Sequence, residues 1–138
     1  MKVKYFDLKN KRVFITGGGS GIGASIVEHF CEQECEVYFV DINIKESKKL
    51  ISNLKKKKIK APHFIECNLL KIKKLENIIK KIIKSKGPID ILINNAANDD
   101  RHSTKQVDEK YWNNRMDVNL KHFFFTIKAV LRLSLIHI

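Results

Sequence analysis

Long apolar runs are missing from this chain. Nowhere in its 138 residues is there a stretch approaching the roughly eighteen uncharged apolar residues of a membrane span. Met1-Lys2-Val3-Lys4-Tyr5-Phe6-Asp7 also lacks the apolar core of a secretory signal, so a cytoplasmic protein with no membrane partner is expected. Cysteine is scarce too. Cys31, Cys35 and Cys67 are odd in number and stand in no ligand spacing with a histidine pair, which argues against a metal site and a disulfide framework and leaves them as reduced packing residues. Acids are few, with 15 Asp and Glu against 27 Lys and Arg and a net charge of +12. Such a charge raises a nucleic-acid reading, but most cations fall in two expected helices, 45–58 and 71–86. In the second, Ile72, Leu75, Ile79 and Ile82 mark the buried stripe and lysines fill the rest. That pattern is a solvated helix surface, so weak salt-sensitive attraction to polyanions is expected and no specific nucleic-acid partner.

What the chain does have is a glycine turn in a telling place. Thr16-Gly17-Gly18-Gly19-Ser20-Gly21-Ile22-Gly23 follows the apolar run Val13-Phe14-Ile15, and Ile22, Ile26, Val27 and Phe30 then continue at helical spacing. A strand that feeds a glycine turn which opens a helix lets backbone N–H groups approach a dinucleotide pyrophosphate at the helix mouth. Gly17 is expected to permit the tight turn, Gly21 to remove a Cβ that would hold phosphate away, and Gly23 to let the helix pack closely on its strand. Ser20 and Ile22 lie in the same turn.

The next strand, Glu36-Val37-Tyr38-Phe39-Val40, ends in Asp41, 18 residues beyond Gly23. A carboxylate there accepts hydrogen bonds from ribose hydroxyls and repels a 2′-phosphate, so Asp41 followed by apolar Ile42 points to NAD over NADP. Lys45 is the nearby cation that would blunt this preference. The alternative for Asp41 is an ordinary cap for the helix that begins near Asn43.

Strands at 12–16, 36–41, 62–67 and 89–94 alternate with helices at 22–33, 45–56 and 71–85, and a long helix is expected over 108–133. The βαβαβαβ order implies an α/β doubly wound parallel sheet covered on both faces. No internal repeat, linker or domain boundary interrupts it, and a hydrophobic share of 43% is enough for one core. Asn94-Asn95-Ala96-Ala97 comes at the carboxyl end of the fourth strand, where open α/β sheets place ligands.

With Thr-Gly-x-x-x-Gly-Ile-Gly, Asp41, Asn-Asn-Ala-Ala and Asn119 within Val118-Asn119-Leu120, the chain resembles the classical short-chain dehydrogenases/reductases from about Leu8 to about Val130. Asn98-Asp99-Asp100-Arg101-His102 and Tyr111-Trp112-Asn113-Asn114-Arg115 resemble more narrowly the NAD-dependent sugar dehydrogenases of that superfamily. The resemblance implies that residues 1–138 are the N-terminal part of a single Rossmann-like domain. It implies that Asn95, Ala96 and Ala97 line the cofactor beside the nicotinamide-side ribose and that Asn68 and Leu69 meet the adenine. The family usually has Asp where Asn68 stands and often Gly where Ala97 stands; the latter matters only if that backbone needs positive φ. Asn119 is similar to the asparagine that bends its helix and holds a water in the proton relay. Arg101 and His102 are candidates for a sugar hydroxyl or, equally, for anchoring their loop.

The same resemblance implies a serine and a Tyr-x-x-x-Lys step, in which the tyrosine takes the hydroxyl proton and the lysine lowers its pKa; all three are expected beyond Ile138. Tyr5 and Lys9 match the spacing but precede the glycine turn, and Tyr111 is followed at that spacing by Arg115, a poor substitute for lysine. Residues 131–138 lack the family's pattern and read as a truncated or frame-shifted tail. The expected function is therefore the N-terminal piece of an enzyme that moves hydride from an aldose to NAD, inactive by itself and homo-oligomeric when whole. A non-catalytic dinucleotide-binding or interaction module is the alternative, and a basic nucleic-acid binder a weaker one.

Overall fold

A computed structural model describes residues 3–134 of the chain, with side chains to Leu131; the rest of the tail expected at 131–138 lies outside the described residues. Four strands, β1 (Arg12–Thr16), β2 (Glu36–Asp41), β3 (His63–Glu66) and β4 (Ile91–Asn94), form one parallel sheet in the order β3-β2-β1-β4. Between them run α1 (Gly21–Glu32), α2 (Ile44–Lys56) and α3 (Ile72–Lys86). The first two crossovers build outward from β1 to β3, and the third carries the chain back across the sheet to the other side of β1, as a doubly wound fold requires.

Alternate side chains of each strand enter different cores. Val13 and Ile15 pack with Val27, Val37, Phe39 and Leu54 under α1 and α2, whereas Phe14 packs with Val40, Leu75 and Ile79 under α3. Both faces are covered, which is why the strands show no polar alternation. The stripe expected on α3 is present, with Leu75, Ile79 and Ile82 buried. All three cysteines are free and buried. Desolvation pushes the Cys31 thiol to about 12, which leaves it protonated and inert at neutral pH.

Two expectations need correction. The fourth strand starts at Ile91, not at 89, because Asp90 ends the ladder: its backbone N–H donates to Arg12 O at 2.9 Å and its carboxylate accepts from Arg12 N–H at 2.7 Å. The helix expected over 108–133 is not uniform. It divides into α4 (Glu109–Met116), a π-helical turn (Asp117–Lys121) and α5 (His122–Ser134), with Asp108 capping the first turn through the Tyr111 N–H at 2.7 Å. The π turn surrounds Asn119.

Strand β4 forms one edge of the described sheet and is only half-buried along its length. On the neighbouring α5, Phe124 is 62% exposed and Ile127 45%, while Phe123, Phe125 and Val130 are half-buried. No helix of the described residues is long and apolar enough to cross a membrane. An open strand edge beside an apolar helix face favours self-association. The 138-residue chain is expected to scatter light increasingly with concentration and to unfold without a cooperative monomeric transition. Phe124→Glu together with Ile127→Glu should raise the monomer fraction in analytical ultracentrifugation, and a parent chain that is monomeric and melts cooperatively would contradict this.

Candidate functional site

The carboxyl ends of β1, β2 and β4 open onto a cleft of about 800 Å³. Its floor is the glycine turn. Gly17 N–H donates to Val40 O at 2.8 Å, tying the turn to the end of β2. Gly21 has φ of +53°, and a Cβ built there meets no atom within 4 Å, so that position is both left-handed and open to the cleft. A Cβ at Gly23, by contrast, would sit 1.8 Å from Gly17 O and 2.6 Å from Asn95 Nδ2. The close approach needed at Gly23 is therefore to the turn itself and to the amide that clamps it. Ser20 is the N-cap of α1 but makes no side-chain capping bond. The first N–H groups of a helix have no partner within it, so this helix mouth is suited to an anion.

Asp41 sits beside the turn. Its Oδ2 accepts from Gly19 N–H at 2.8 Å and its Oδ1 from Asn43 N–H at 2.8 Å. The cap of α2 is Asn43, whose side chain accepts from Glu46 N–H at 3.1 Å, so the capping alternative for Asp41 falls away. Each carboxylate oxygen retains a further lone pair for a ligand hydroxyl. Ile42, Asn68 and Leu69 continue the same wall, and Asn68 Oδ1 accepts from Leu70 N–H at 2.9 Å.

On the other wall, the Asn95 amide donates to Gly17 O at 2.9 Å and to Thr16 O at 3.2 Å. Ala96 and Ala97 line the cleft behind it, and Ala97 is not among the residues with positive φ, so a side chain there is unstrained. Beyond them the Asn119 side chain pairs with one backbone unit of the β4–α4 loop. Its Oδ1 accepts from Asn98 N–H at 2.7 Å and its Nδ2 donates to Asn98 O at 3.0 Å. A widened turn frees the helix backbone there and turns Asn119 toward the sheet edge.

Arg101 and His102 do not line the cleft. The His102 ring packs on Tyr111 at 4.3 Å between centroids, and the Arg115 guanidinium lies 4.7 Å from the centroid of the Tyr111 ring. Tyr111 Oη donates to Asp100 O at 3.0 Å and Arg115 to the Asp100 carboxylate at 3.1 Å, which holds that carboxyl below its ordinary range. These contacts anchor the loop, whose cleft-lining polar residues are Asn98, Asp99 and Asp100, with Asn114 of α4 beside them.

Beneath the cleft lies a polar network that pattern reading missed. Thr16 Oγ1 accepts from both Asn95 N–H and Ala96 N–H at 3.1 Å, and 3.4 Å away is Nε2 of His122, a residue with no exposure. His122 Nδ1 lies 2.6 Å from Val118 O and so carries the proton, which leaves Nε2 to accept from the threonine hydroxyl. Burial depresses the His122 pKa below its ordinary 6.5. A lone histidine ahead of Phe123-Phe124-Phe125 was the available signal.

A family model described as short chain dehydrogenase matches residues 11–136. The chain is 40% identical over 124 residues to a probable galactose dehydrogenase of Rhizobium meliloti, covering 90% of this chain and 48% of that protein. It is 42% identical over 126 residues to a D-xylose 1-dehydrogenase of Caulobacter vibrioides, covering 91% and 49%. The chain thus spans about half the length of the curated relatives it matches. Among solved structures, the ligand-free aldohexose dehydrogenase of Thermoplasma acidophilum superposes with a TM-score of 0.78 at 25% identity, over 94% of this chain and 46% of that one.

Two outcomes follow from the buried network. On the Phe124→Glu/Ile127→Glu background, Thr16→Val keeps the shape but strands two part-buried N–H groups, so urea unfolding should show a loss of about 1–3 kcal/mol. As pH falls below 6.5, the ordinary histidine value, the unfolded chain takes up a proton that folded His122 refuses. Stability contributed by this group is therefore complete above 6.5 and declines toward the depressed folded value. With His122→Gln on the same background that decline should be shallower, as measured by urea midpoints across the range; identical pH slopes with and without the substitution would contradict the network.

Proposed function

This chain belongs to the short-chain dehydrogenase family, and from that premise we propose that it is the dinucleotide-binding part of an NAD-linked sugar dehydrogenase. The observation that carries the reading is the placement of Asp41, held by the Gly19 and Asn43 N–H groups at the edge of a cleft whose floor is the glycine turn. The residues fit such a cofactor: at Gly21 no Cβ stands between the helix mouth and a phosphate. Asp41 receives the ribose hydroxyls and its negative charge opposes a 2′-phosphate, which favours NAD over NADP. Asn68 and Leu69 flank the base, and Asn95, Ala96 and Ala97 flank the second ribose. When bound, the nicotinamide ring supplies the hydride acceptor.

The sugar reading draws on the relatives named galactose, D-xylose and aldohexose dehydrogenases. Asp99, Asp100 and Asn114 at the far end of the cleft supply acceptors and donors of the kind that orient a polyol. Asn119, fixed to the Asn98 backbone, holds the helix turn from which a water relays the substrate proton onward. The serine, tyrosine and lysine of the family chemistry are not supplied by these 138 residues, so the chain alone binds and does not turn over. In the whole enzyme the apolar face bearing Phe124 and Ile127 is covered by a homo-oligomeric contact.

Calorimetric titration of the chain with the two dinucleotides tests the assignment. NAD should bind at least about ten-fold more tightly than NADP, and Asp41→Ala should narrow the gap by removing charge repulsion of roughly 1–2 kcal/mol. Equal affinities in the parent would overturn the role of Asp41. NADH formation with D-xylose or galactose would overturn the claim that the chain lacks catalytic groups.

A further inference from the structure

The base end of the cleft contains an amide whose orientation is settled by its surroundings. Asn68 follows buried Cys67 at the end of β3, and its side-chain oxygen accepts the Leu70 N–H at 2.9 Å. Turning the amide over would set its NH₂ group against that same N–H, donor against donor, so Nδ2 must be the outward atom. Among the described residues no hydrogen bond engages Nδ2, and the residue is exposed on the cleft wall.

The side-chain oxygens nearby each accept a backbone N–H already. Both Asp41 oxygens hold backbone N–H groups, Asn43 Oδ1 caps α2, and Cys67 Sγ lies 3.6 Å from Asn68 O. Val40, Ile42, Leu69 and Leu70 complete this end with apolar surface suited to a purine face.

We infer that Asn68 reads the base of the dinucleotide with an outward N–H donor, so that the pocket admits a 6-oxopurine about as well as a 6-aminopurine. This rests on the dinucleotide reading proposed above. Adenine offers ring nitrogens as acceptors to Nδ2 and its amino group to the second lone pair of Oδ1. A 6-oxopurine offers its exocyclic oxygen to the same Nδ2. A carboxylate of the same shape at this position accepts only, so it suits the amino group and repels the oxygen. Asn68→Asp keeps the acceptor for Leu70 N–H and therefore changes the reading group without undoing the turn.

The test titrates the 138-residue chain calorimetrically with NAD and with nicotinamide hypoxanthine dinucleotide, which differ at that ring position. The parent should bind the two within about three-fold, and Asn68→Asp should weaken the hypoxanthine form at least about ten-fold relative to NAD, the size of one unpaired hydrogen bond. Circular dichroism melting of the variant establishes its fold. Asn68→Ala provides an independent arm, lowering affinity for both dinucleotides by a similar factor. A parent that rejects the hypoxanthine form about ten-fold or more, or a ratio unmoved by Asn68→Asp, overturns the inference and leaves the dinucleotide reading standing. If the parent binds neither dinucleotide, both fall.

Discussion

Two backbone N–H groups, from Asn95 and Ala96, converge on the single hydroxyl of Thr16 at the point where β1 and β4 part. On that junction the site depends. The strand order reverses sense at β1, with β2 on one side and β4 on the other, so the crossovers diverge and leave a crevice at the carboxyl edge. A crevice alone has no fixed width. The Asn95 amide, bonded to Gly17 O and Thr16 O, sets how far the glycine turn stands from the opposite wall, and the lack of a Cβ at Gly23 is what admits that amide. Because Thr16 and His122 are wholly buried, these polar groups have no water to fall back on. The clamp is therefore stiff, and it reaches from the turn through His122 to the Val118 carbonyl in the π turn.

Much of the fold was legible because local and long-range signals agree. Val13, Phe14 and Ile15 are apolar on both faces, the glycine turn follows at once, and the lysines of α2 and α3 fall on the outward side, so alternation and burial give one answer. Boundaries were less legible where tertiary contacts decide them. Asp90 ends β4 through Arg12, 78 residues away in the chain, which no window of sequence contains. The π turn is similar. Helical spacing continues smoothly through Val118-Asn119-Leu120, and what selects the wider turn is the fit of Asn119 to the Asn98 backbone, a contact 21 residues distant.

For the site, residue types that work through the backbone were easier to find than those that work through each other. Gly17, Gly21, Asp41 and Asn95 announce themselves by position relative to strand ends. His122 does not, because its partner Thr16 is 106 residues earlier and an isolated histidine in an apolar helix has many ordinary uses. Tyr111 and Arg115 teach the same lesson differently: their spacing invites a catalytic comparison, yet Tyr111 spends its hydroxyl and Arg115 its Nη2 on Asp100. Sequence spacing establishes what could meet; competing hydrogen bonds decide what is free.

The charge of the chain and the chemistry of its cleft are separate. A protein with 27 Lys and Arg has ample means to bind phosphate by side-chain charge, yet among the described residues that line the cleft none is a lysine or arginine, and Asp41, Asp99 and Asp100 are there instead. A dinucleotide pyrophosphate must then be held by oriented N–H groups of the turn and the mouth of α1. Such dipoles act at contact distance and are fixed before the ligand arrives, whereas solvated lysines on α2 and α3 act over about a Debye length, roughly 8 Å in physiological salt. On the reading proposed above, the surface cations would draw polyanions of any kind to the outside of the helices, and the cleft would select among them by geometry. On the same reading, acidic walls beside a dipolar floor would favour a ribose hydroxyl over a phosphate at Asp41 and still leave the glycine turn to a pyrophosphate.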